Sequence, residues 1–362
     1  MDILGQTPLQ AILFFILYGI SGVVPLIAAL YLLLCPGNAI APGTTPPVRL
    51  RRWAAAFFVV STLAHVWWLL LYIYSGDLNS MGYMVLVMVD CVLLFTTFAG
   101  MLLAMLQDRR RPLLPVLAGI IPFVLLGGAY MVYPRQPLVL LAAGYLLLLG
   151  LFFTGNMVVA IRQYGRWLND NYADLENKKV WLCQAVSLLC MLLFMLYILA
   201  TDMVLIWIIH IVELVLVGLL LWRVETLPSL APVPSPKARE DADNTLSIDL
   251  DQIEQLLKKH CVAPQLYLQH DLTLQQLALV IGTNRYYLSQ YFSRQGITYN
   301  TYINSQRVNH FIRRYEELVK AGESVSAQQL AHESGFSSYR TFSRAFTQRM
   351  GQSVTAWMSE AG

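Results

Sequence analysis

The sequence has few charged residues. Asp, Glu, Lys and Arg make up 13% of its 362 residues and hydrophobic residues make up 57%, whereas a soluble domain carries roughly a quarter charged residues. The shortage lies in one part of the chain, because residues 1–225 hold 12 basic and 10 acidic side chains and the shorter stretch 226–362 holds 13 and 12. This distribution excludes a single soluble globule and indicates two regions that face different solvents.

The sequence also lacks the residue patterns of several kinds of site. Its cysteines form no CxxC pair, no disulfide framework and no metal-ligand spacing. It contains no recognisable Ser/His/Asp set and no glycine-rich phosphate-binding loop. We therefore predict no enzyme, no cofactor and no complete metal motif. The five cysteines, which we interpret as small apolar residues, are Cys35, Cys91, Cys183, Cys190 and Cys261.

Long apolar runs fill the first region. A helix needs roughly 20 apolar residues to cross about 30 Å of hydrocarbon, and only a helix satisfies its own backbone polar groups there. The last run, 180–222, is too long for one crossing, so we predict a hairpin at Thr201 and Asp202. The seven predicted spans are 11–34, 53–74, 83–106, 113–133, 138–161, 180–200 and 203–222.

The basic residues between these runs predict the orientation, because cytoplasmic loops carry an excess of Lys and Arg. With seven spans, eleven basic residues fall on one side and only Arg135 falls on the other. We therefore predict an N-terminus outside and a C-terminal region in the cytoplasm. The eleven are Arg49, Arg51, Arg52, Arg109, Arg110, Arg111, Arg162, Arg166, Lys178, Lys179 and Arg223.

Composition then divides the chain into three parts. Residues 1–225 form the predicted transmembrane region, and 226–247, which contain four prolines and a short mixed-charge run, form a predicted linker. From 248 to 362 the apolar residues recur with helical spacing and no convincing strand pattern is present. We predict an all-α protein: a polytopic seven-helix transmembrane bundle followed by a small soluble domain.

The soluble region contains two related helix–glycine–helix patterns. The first has a short helix ending at Gly282 and a second helix starting after Thr283, whose hydroxyl is a suitable cap. The second returns 53–55 residues later around Gly335, and 298–320 between them reads as one helix of about 30 Å. Because one DNA turn is about 34 Å long, two such units can enter successive major grooves. The predicted core residues are Tyr287, Leu288, Phe292, Phe336, Phe342 and Phe346.

Residues Ala331–Phe346, with the sequence AHESGFSSYRTFSRAF, resemble the signature of the AraC family of bacterial transcription regulators. The resemblance covers about 262–358 and implies a double helix-turn-helix that binds double-stranded DNA and works with RNA polymerase. The layout is similar to membrane-anchored regulators of the Bacteroides group. The chain departs from the family after Gly351, where it lacks the usual proline, although Ser353 can still cap the last helix.

The position of a side chain on the second helix of each unit predicts whether it reaches DNA. Arg can bind guanine with two hydrogen bonds, Gln can bind adenine in the same way, and hydroxyls suit phosphates. The net charge of 248–362 is only +2, so the motif carries this prediction rather than basic character. The predicted DNA-binding residues are Asn284, Arg285, Tyr286, Gln290, Arg294, Ser338, Tyr339, Arg340, Arg344 and Arg349.

Four ionisable residues inside the spans also need an explanation, because such groups are costly in lipid. His65, Asp90, His210 and Glu213 fall at a similar predicted depth, roughly 10–15 Å below the outer surface. They predict either a ligand pocket lined as well by Trp67, Trp68 and Tyr72, or an internally paired network. A zinc site is a third interpretation, since His and carboxylate ligands suit zinc, but nothing in the sequence fixes their geometry.

The longest predicted cytoplasmic loop, 162–179, has three open interpretations: an interfacial helix, a surface that passes a signal to the DNA-binding domain, or a plain solvated loop. Overall we predict a transcription regulator in the inner membrane of a bacterium that senses an envelope or membrane signal through an unidentified ligand and can form a homodimer. The alternatives are a constitutive DNA binder with a passive anchor, and a transporter or enzyme bundle fused to a regulator.

Overall fold

The computed structural model describes residues 7–35, 37–74, 81–197, 203–230, 250–323 and 326–361, without some side chains at the margins of these ranges. Within them every regular element is helical, and the only strand-like feature is an isolated antiparallel bridge between Tyr172 and Thr273. The predicted all-α fold is confirmed.

The chain forms two compact units. The bundle unit comprises Met1–Arg162 and Val180–Pro232, and the C-terminal unit comprises Gln163–Lys179 and Val233–Gly362. This division differs from the predicted domains at two places. Residues 163–179 were assigned to the membrane region and fold with the C-terminal unit, and the predicted linker is divided at Pro232 between the two units. Periodicity could not reveal the placement of residues 163–179, since their partners lie about a hundred or more residues away along the chain.

Six helices of the bundle unit are long and apolar enough to cross a membrane, and a shorter apolar helix, α6, lies between the last two of them. Of the seven predicted spans, six correspond to helices long enough to cross a membrane. The sixth predicted span corresponds to α6, whose described residues form a shorter helix. The predicted hairpin residues, Thr201 and Asp202, lie outside the described part of the chain. The helices are α1 (Pro8–Leu34), α2 (Val48–Tyr74), α3 (Met81–Met105), α4 (Leu114–Val132), α5 (Gln136–Asn171), α6 (Trp181–Tyr197) and α7 (Met203–Thr226).

The interior of the bundle unit is built around α1 and α2. Helix α1 packs against α2 and α7, and α2 also packs against α3 and α7. The backbones of α1 and α2 approach closely at Gly22, where an added Cβ would lie 3.1 Å from the Cβ of His65. Large apolar side chains such as Leu34 and Phe152 remain more than two-thirds exposed on the outer surface, as expected where lipid rather than water is the neighbour.

The predicted linker, 226–247, begins within the folded bundle unit. Ser229 N donates to Thr45 O at 2.8 Å, and Gln107 Nε2 donates to Pro228 O at 3.0 Å. Leu227 is fully buried. The chain is therefore packed as far as Leu230, and the remaining linker residues lie outside the described part.

The C-terminal unit has two hydrophobic clusters joined by one long helix. The first cluster includes Leu277, Leu288 and Ile303, and the second includes Phe311 and Phe342 with their neighbours. Because α11 supplies Ile303 to one cluster and Phe311 to the other, it fixes the spacing between them. Besides the end of α5, the helices are α8 (Leu250–Leu257), α9 (Leu274–Val280), α10 (Arg285–Arg294), α11 (Tyr299–Lys320), α12 (Ala327–Glu333), α13 (Tyr339–Met350) and α14 (Val354–Ala361).

The last helix begins without the proline that the AraC resemblance leads one to expect. Ser353 Oγ accepts a hydrogen bond from Ala356 N at 3.2 Å. Trp357 packs its ring 5.5 Å from that of Phe346, against the second cluster. The expected role of Ser353 at the start of α14 is confirmed.

Candidate functional site

Two helix-turn-helix units form within the C-terminal unit, and each begins with a capped helix. Thr273 caps α9 in a capping box with Gln276, and Ser326 caps α12 by accepting a hydrogen bond from Gln329 N. Such hydroxyl caps satisfy the first free amides of a helix. The turns then pass through Gly282, at φ +74°, and Gly335, at φ +90°, a region that L-residues rarely adopt.

The second helix of each unit, α10 in the first and α13 in the second, is the one predicted to contact DNA and is called the reading helix. The cap of the first reading helix is Asn284, so the prediction that Thr283 caps it is wrong. Asn284 Oδ1 accepts from Tyr287 N at 3.0 Å. Thr283 N is still bonded to Ala278 O at 2.9 Å, which makes Thr283 part of the preceding helix end. Because the cap is the last residue before helical geometry begins, one residue of turn length decides which side chain takes this role.

The second reading helix begins at the matching residue. Ser338 Oγ accepts from Thr341 N at 3.3 Å. Aligning the two caps gives an offset of 54 residues, which pairs Leu288 with Phe342 and Phe292 with Phe346. All four are at most 2% exposed, whereas Tyr287, predicted to be core, is only partly buried against the first cluster.

The outward side of α13 presents polar and aromatic residues on one face. The spacing i, i+1, i+4, i+5, i+8, i+9 places six side chains on the same side of a helix. Three of them, Tyr339, Arg340 and Arg344, were predicted from the sequence. The other three were missed, because which side chains share the outward face depends on the residue at which the helix begins. The six residues line one open depression: Tyr339, Arg340, Ser343, Arg344, Thr347 and Gln348.

The matching face of α10 follows from the same offset. Arg285, Tyr286, Gln290 and Arg294 were predicted, and Ser289 and Ser293 complete the set. Tyr286 is 52% exposed, and its hydroxyl accepts from Gln290 Nε2 at 2.5 Å. Aromatic and amide side chains are therefore available on the surface of the first unit.

Three predicted DNA-binding residues do not lie on these faces. Asn284 and Ser338 use their side chains as caps, as described above. Arg349 lies in the last turn of α13, and its Nε donates to Asn309 Oδ1 at 3.1 Å. The structure therefore brings together seven of the ten predicted residues, in two sets of four and three.

A buried arginine on α11 fixes the segment in front of the first unit. Arg307 is fully buried, and its guanidinium donates to the carbonyl oxygens of Tyr267 and Gln269 at 2.7 Å each. It also lies 5.6 Å from the centre of the Phe336 ring. Burial lowers the pKa of Arg307 to about 10, so the side chain remains a cation at neutral pH. Sequence reasoning missed this residue because an isolated Arg on an amphipathic helix resembles a solvated one.

Residues 163–179 contact the rest of the C-terminal unit through their own backbone and side chains. Asn300 Nδ2 donates to the carbonyl oxygens of Ala173 at 2.6 Å and Tyr172 at 3.1 Å. Ser337 Oγ donates to Asp174 Oδ2 at 2.5 Å. Ala173 is fully buried in the first hydrophobic cluster. The contact that the signal-passing interpretation requires is therefore present, and residues 163–171 are helical; transfer of a signal through the loop stays a prediction.

Charges of the same loop lie near both reading helices. Asp170 interacts electrostatically with Arg285 in the first turn of α10. Burial lowers the pKa of Lys179, and the positive charge of Arg344 on α13 lowers it further. Lys178 Nζ lies 3.8 Å from Asp271 Oδ1. The loop therefore places one acidic and one basic side chain beside residues of the two candidate DNA-binding faces.

In the bundle unit, three of the four predicted ionisable residues meet in one cluster. His65 Nε2 lies 3.4 Å from Glu213 Oε2, and His210 Nδ1 lies 3.8 Å from the same oxygen. Ser21 Oγ lies 3.0 Å from His65 Nε2 and 3.1 Å from His210 Nδ1. Ser61 donates a short hydrogen bond to Glu213 Oε1. The two serines had not been predicted, because a lone Ser in an apolar run carries no signal.

The fourth predicted residue, Asp90, has a different partner. Its Oδ2 accepts a hydrogen bond from Trp68 Nε1 at 2.5 Å. The side chain of Trp67 interacts with the same carboxylate, and His65 interacts with it electrostatically. The side chain of Tyr72 lies outside the described part of the chain. The predicted pocket residues therefore divide into a His/Glu/Ser cluster and an Asp90–tryptophan group, and His65 couples the two.

Residues 263–360 match the family model of a helix-turn-helix domain, which is of the AraC type. The match covers both helix-turn-helix units and leaves the bundle unit unassigned. No curated protein and no solved structure shows significant similarity to the chain. The C-terminal unit thus carries an AraC-type DNA-binding domain, and the apolar helices before it indicate association with a membrane.

Proposed function

We propose that this protein is a transcription regulator of the bacterial inner membrane, in which the bundle senses an envelope or membrane signal and passes it to the AraC-type domain through residues 163–179. The eleven-to-one distribution of basic loop residues supports an outside N-terminus and a cytoplasmic C-terminal unit. Contact with RNA polymerase and homodimer formation stay predictions of the family resemblance.

The DNA-binding role of this proposal rests on the two equivalent faces of α10 and α13. Arg340 and Arg344 are exposed on the face of α13, and Arg285 and Gln290 are partly buried on the face of α10. Such side chains at the start and outer side of a reading helix contact base edges and phosphates. Helix α11 contains 22 residues and is therefore about 33 Å long, which suits two grooves one turn apart.

The part of the proposal that concerns sensing rests on the loop formed by residues 163–179. Its first nine residues, 163–171, are the last turns of α5, and α6 begins at Trp181 directly after it. A shift of α5 against α6 must therefore change the position or conformation of the loop. The loop in turn holds Ser337, the residue before the cap of α13, and has a charge next to Arg285. A movement of α5 is thus passed covalently to the loop, and the loop reaches α13 through the Ser337–Asp174 hydrogen bond and α10 through the charge of Asp170.

The test removes the loop contacts and leaves both reading faces intact. A reporter gene is placed behind a duplex that the full-length protein selects from a randomised DNA pool, and its output is followed in cells over changes of pH, osmolarity and divalent metal. We expect the wild-type output to change with at least one condition and the N300A/S337A output to remain constant, because the loop no longer holds the domain. The matched control is Q306A on the same helix, which should follow the wild type.

The outcome against the proposal is equally specific. If N300A/S337A keeps the wild-type response at equal protein level, residues 163–179 do not transmit the signal. If the wild-type output stays constant in every condition, the bundle is a passive anchor.

A further inference from the structure

The His/Glu/Ser cluster of the bundle unit brings several metal-ligand atoms to one point. His65 comes from α2, His210 and Glu213 come from α7, and Ser21 comes from α1. The nearest ligand atoms of the two histidines and the glutamate all lie within 4.8 Å of one another. The side chains of all three are only 11–13% exposed, so water has little access to compensate their polarity.

The hydrogen bonds fix which atoms face the common point. His65 Nδ1 lies 2.9 Å from Ser61 O, and because a carbonyl only accepts, Nδ1 carries the proton. When Nε2 carries no proton, its lone pair points towards Glu213. The hydroxyl of Ser61 holds the other carboxylate oxygen, Oε1, which leaves Oε2 directed at both histidines. Outer hydrogen bonds of this kind orient ligands in metal sites.

The cluster then has more acceptors than donors. Ser21 Oγ donates to Tyr18 O at 2.9 Å, so its lone pairs face the two imidazoles. His65 Nε2, Glu213 Oε2 and Ser21 Oγ can all accept a hydrogen bond with a lone pair, and His210 Nδ1 can donate at most one proton to them. A proton satisfies two of these atoms, whereas a metal ion at the common point satisfies all four.

The distances suit a small divalent ion. Zinc binds His nitrogen and carboxylate oxygen at about 2.0–2.2 Å in tetrahedral geometry, which puts neighbouring ligand atoms about 3.3–3.5 Å apart. The separations from Glu213 are 3.4 Å to His65 and 3.8 Å to His210, within a few tenths of an ångström of that spacing. The ligand atoms of the two histidines lie within 4.8 Å of each other, so metal binding has to draw the two imidazoles closer together. Two histidines and a glutamate are also a ligand set that zinc uses when one position stays open.

We propose that His65, His210 and Glu213 bind a divalent transition-metal ion, Zn²⁺ by their chemistry, with the Ser21 hydroxyl or a water molecule as the fourth ligand. The ion ties α2 to α7 and lies against α1, where Tyr18 OH already donates to His65 O at 2.7 Å. Metal binding itself is independent of the proposed function, and a role of the ion as the sensed signal rests on it.

The test measures metal on the purified full-length protein in detergent, without DNA. After chelation and buffer exchange, titration with Zn²⁺ should give one equivalent per chain, and Co²⁺ should give the intense visible absorption of a four-coordinate ion, which Zn²⁺ abolishes. H210A and E213Q should lose this equivalent, and S61A should weaken it about 10-fold because it removes an orienting bond. The matched control is H332A, since His270 and His332 form another close pair, with ring centres 4.6 Å apart.

Each result decides the proposal. Loss of the equivalent in H210A and E213Q with retention in H332A supports it. Loss in H332A with retention in H210A places the metal elsewhere and overturns it, as does a wild-type chain that gives no four-coordinate Co²⁺ spectrum, which would leave a proton shared by His65 and Glu213. If H210A fails to fold, the Co²⁺ spectrum of the wild type and its change in E213Q and S61A still decide. Failure here leaves the reporter experiment unaffected, so the two proposals can fail separately.

Discussion

The two helix-turn-helix units are built from equivalent residues but differ at the turn. Up to the glycine the offset between them is 53 residues, as in Gly282 and Gly335, and after it the offset is 54, as in the caps Asn284 and Ser338. In the first unit an added Cβ on Gly282 would meet nothing within 4 Å, whereas on Gly335 it would lie 2.8 Å from the Cα and the carbonyl oxygen of Leu268. The first turn is therefore open, and the second is packed against backbone.

The second turn is held in place from more than one side. Leu268 lies next to the carbonyl oxygens of Tyr267 and Gln269, which Arg307 holds from α11. Ser337, two residues after Gly335, donates to Asp174 of the loop. The same motif thus occurs once with an open turn and once with a turn packed against backbone. The two units therefore differ in how their turns are packed although their sequences follow one pattern.

The largest effect that tests this comparison comes from the two turn glycines. An L-residue in the left-handed region costs about 1–2 kcal/mol, so G282A should lower the free energy of unfolding by about 1 kcal/mol. G335A adds a backbone clash and should cost on the order of 3 kcal/mol. Amide hydrogen exchange of the full-length protein, followed by mass spectrometry, measures the loss of stability in each variant. In G335A we expect protection to be lost over α12 and α13.

G282A is the control for G335A. Both glycines have a positive φ, so both variants carry the same backbone strain, and only Gly335 has a close neighbour. Equal losses of protection in G282A and G335A would contradict the packed second turn. A loss in G335A that spreads to α10 would mean that the two units unfold together rather than separately.

The sequence predicted the parts of these units that depend on local pattern. Leu288, Phe292, Phe342 and Phe346 follow helical spacing and are buried as predicted. Thr283 was wrong because a one-residue change of turn length moves the cap without changing the periodicity.

The long-range parts could not be predicted. The contact of Ser337 with Asp174 joins residues 163 positions apart, and the carbonyl partners of Arg307 belong to a turn that has no sequence signature. Three residues of the cluster in the bundle unit, His65, His210 and Glu213, were predicted because ionisable residues are rare in apolar runs. The pairing of Asp90 with Trp68 was not predicted, because it depends on how the helices are rotated in the bundle.

A smaller effect is expected when DNA binding itself is compared between the units. R340A and R285A each remove one arginine from a reading face, and an arginine on bases is worth about 1–3 kcal/mol. We expect roughly 10-fold weaker binding to the selected duplex for each, with relaxed base preference in R340A because its helix is fixed. Fluorescence anisotropy with the full-length protein at two salt concentrations measures both variants.

Arg314 gives the matched control for this experiment, because it is an arginine of α11 paired with Glu317 at 2.7 Å on an exposed surface. R314A should bind the duplex as the wild type does. An unchanged affinity in both R340A and R285A would show that the reading faces are assigned to the wrong sides of α10 and α13.

The smallest effect concerns the caps, where the two units are alike. Asn284 and Ser338 each accept one backbone amide, at 3.0 Å from Tyr287 and 3.3 Å from Thr341, and replacing such a cap by Ala costs about 1 kcal/mol. N284A and S338A should therefore lose similar, small amounts of exchange protection in the first turns of α10 and α13. The exchanged caps N284S and S338N should keep that protection, since Asn and Ser are nearly equal in this role. If either exchange changes the sequence selected from the randomised pool, that side chain also contacts DNA and the cap is only part of its role.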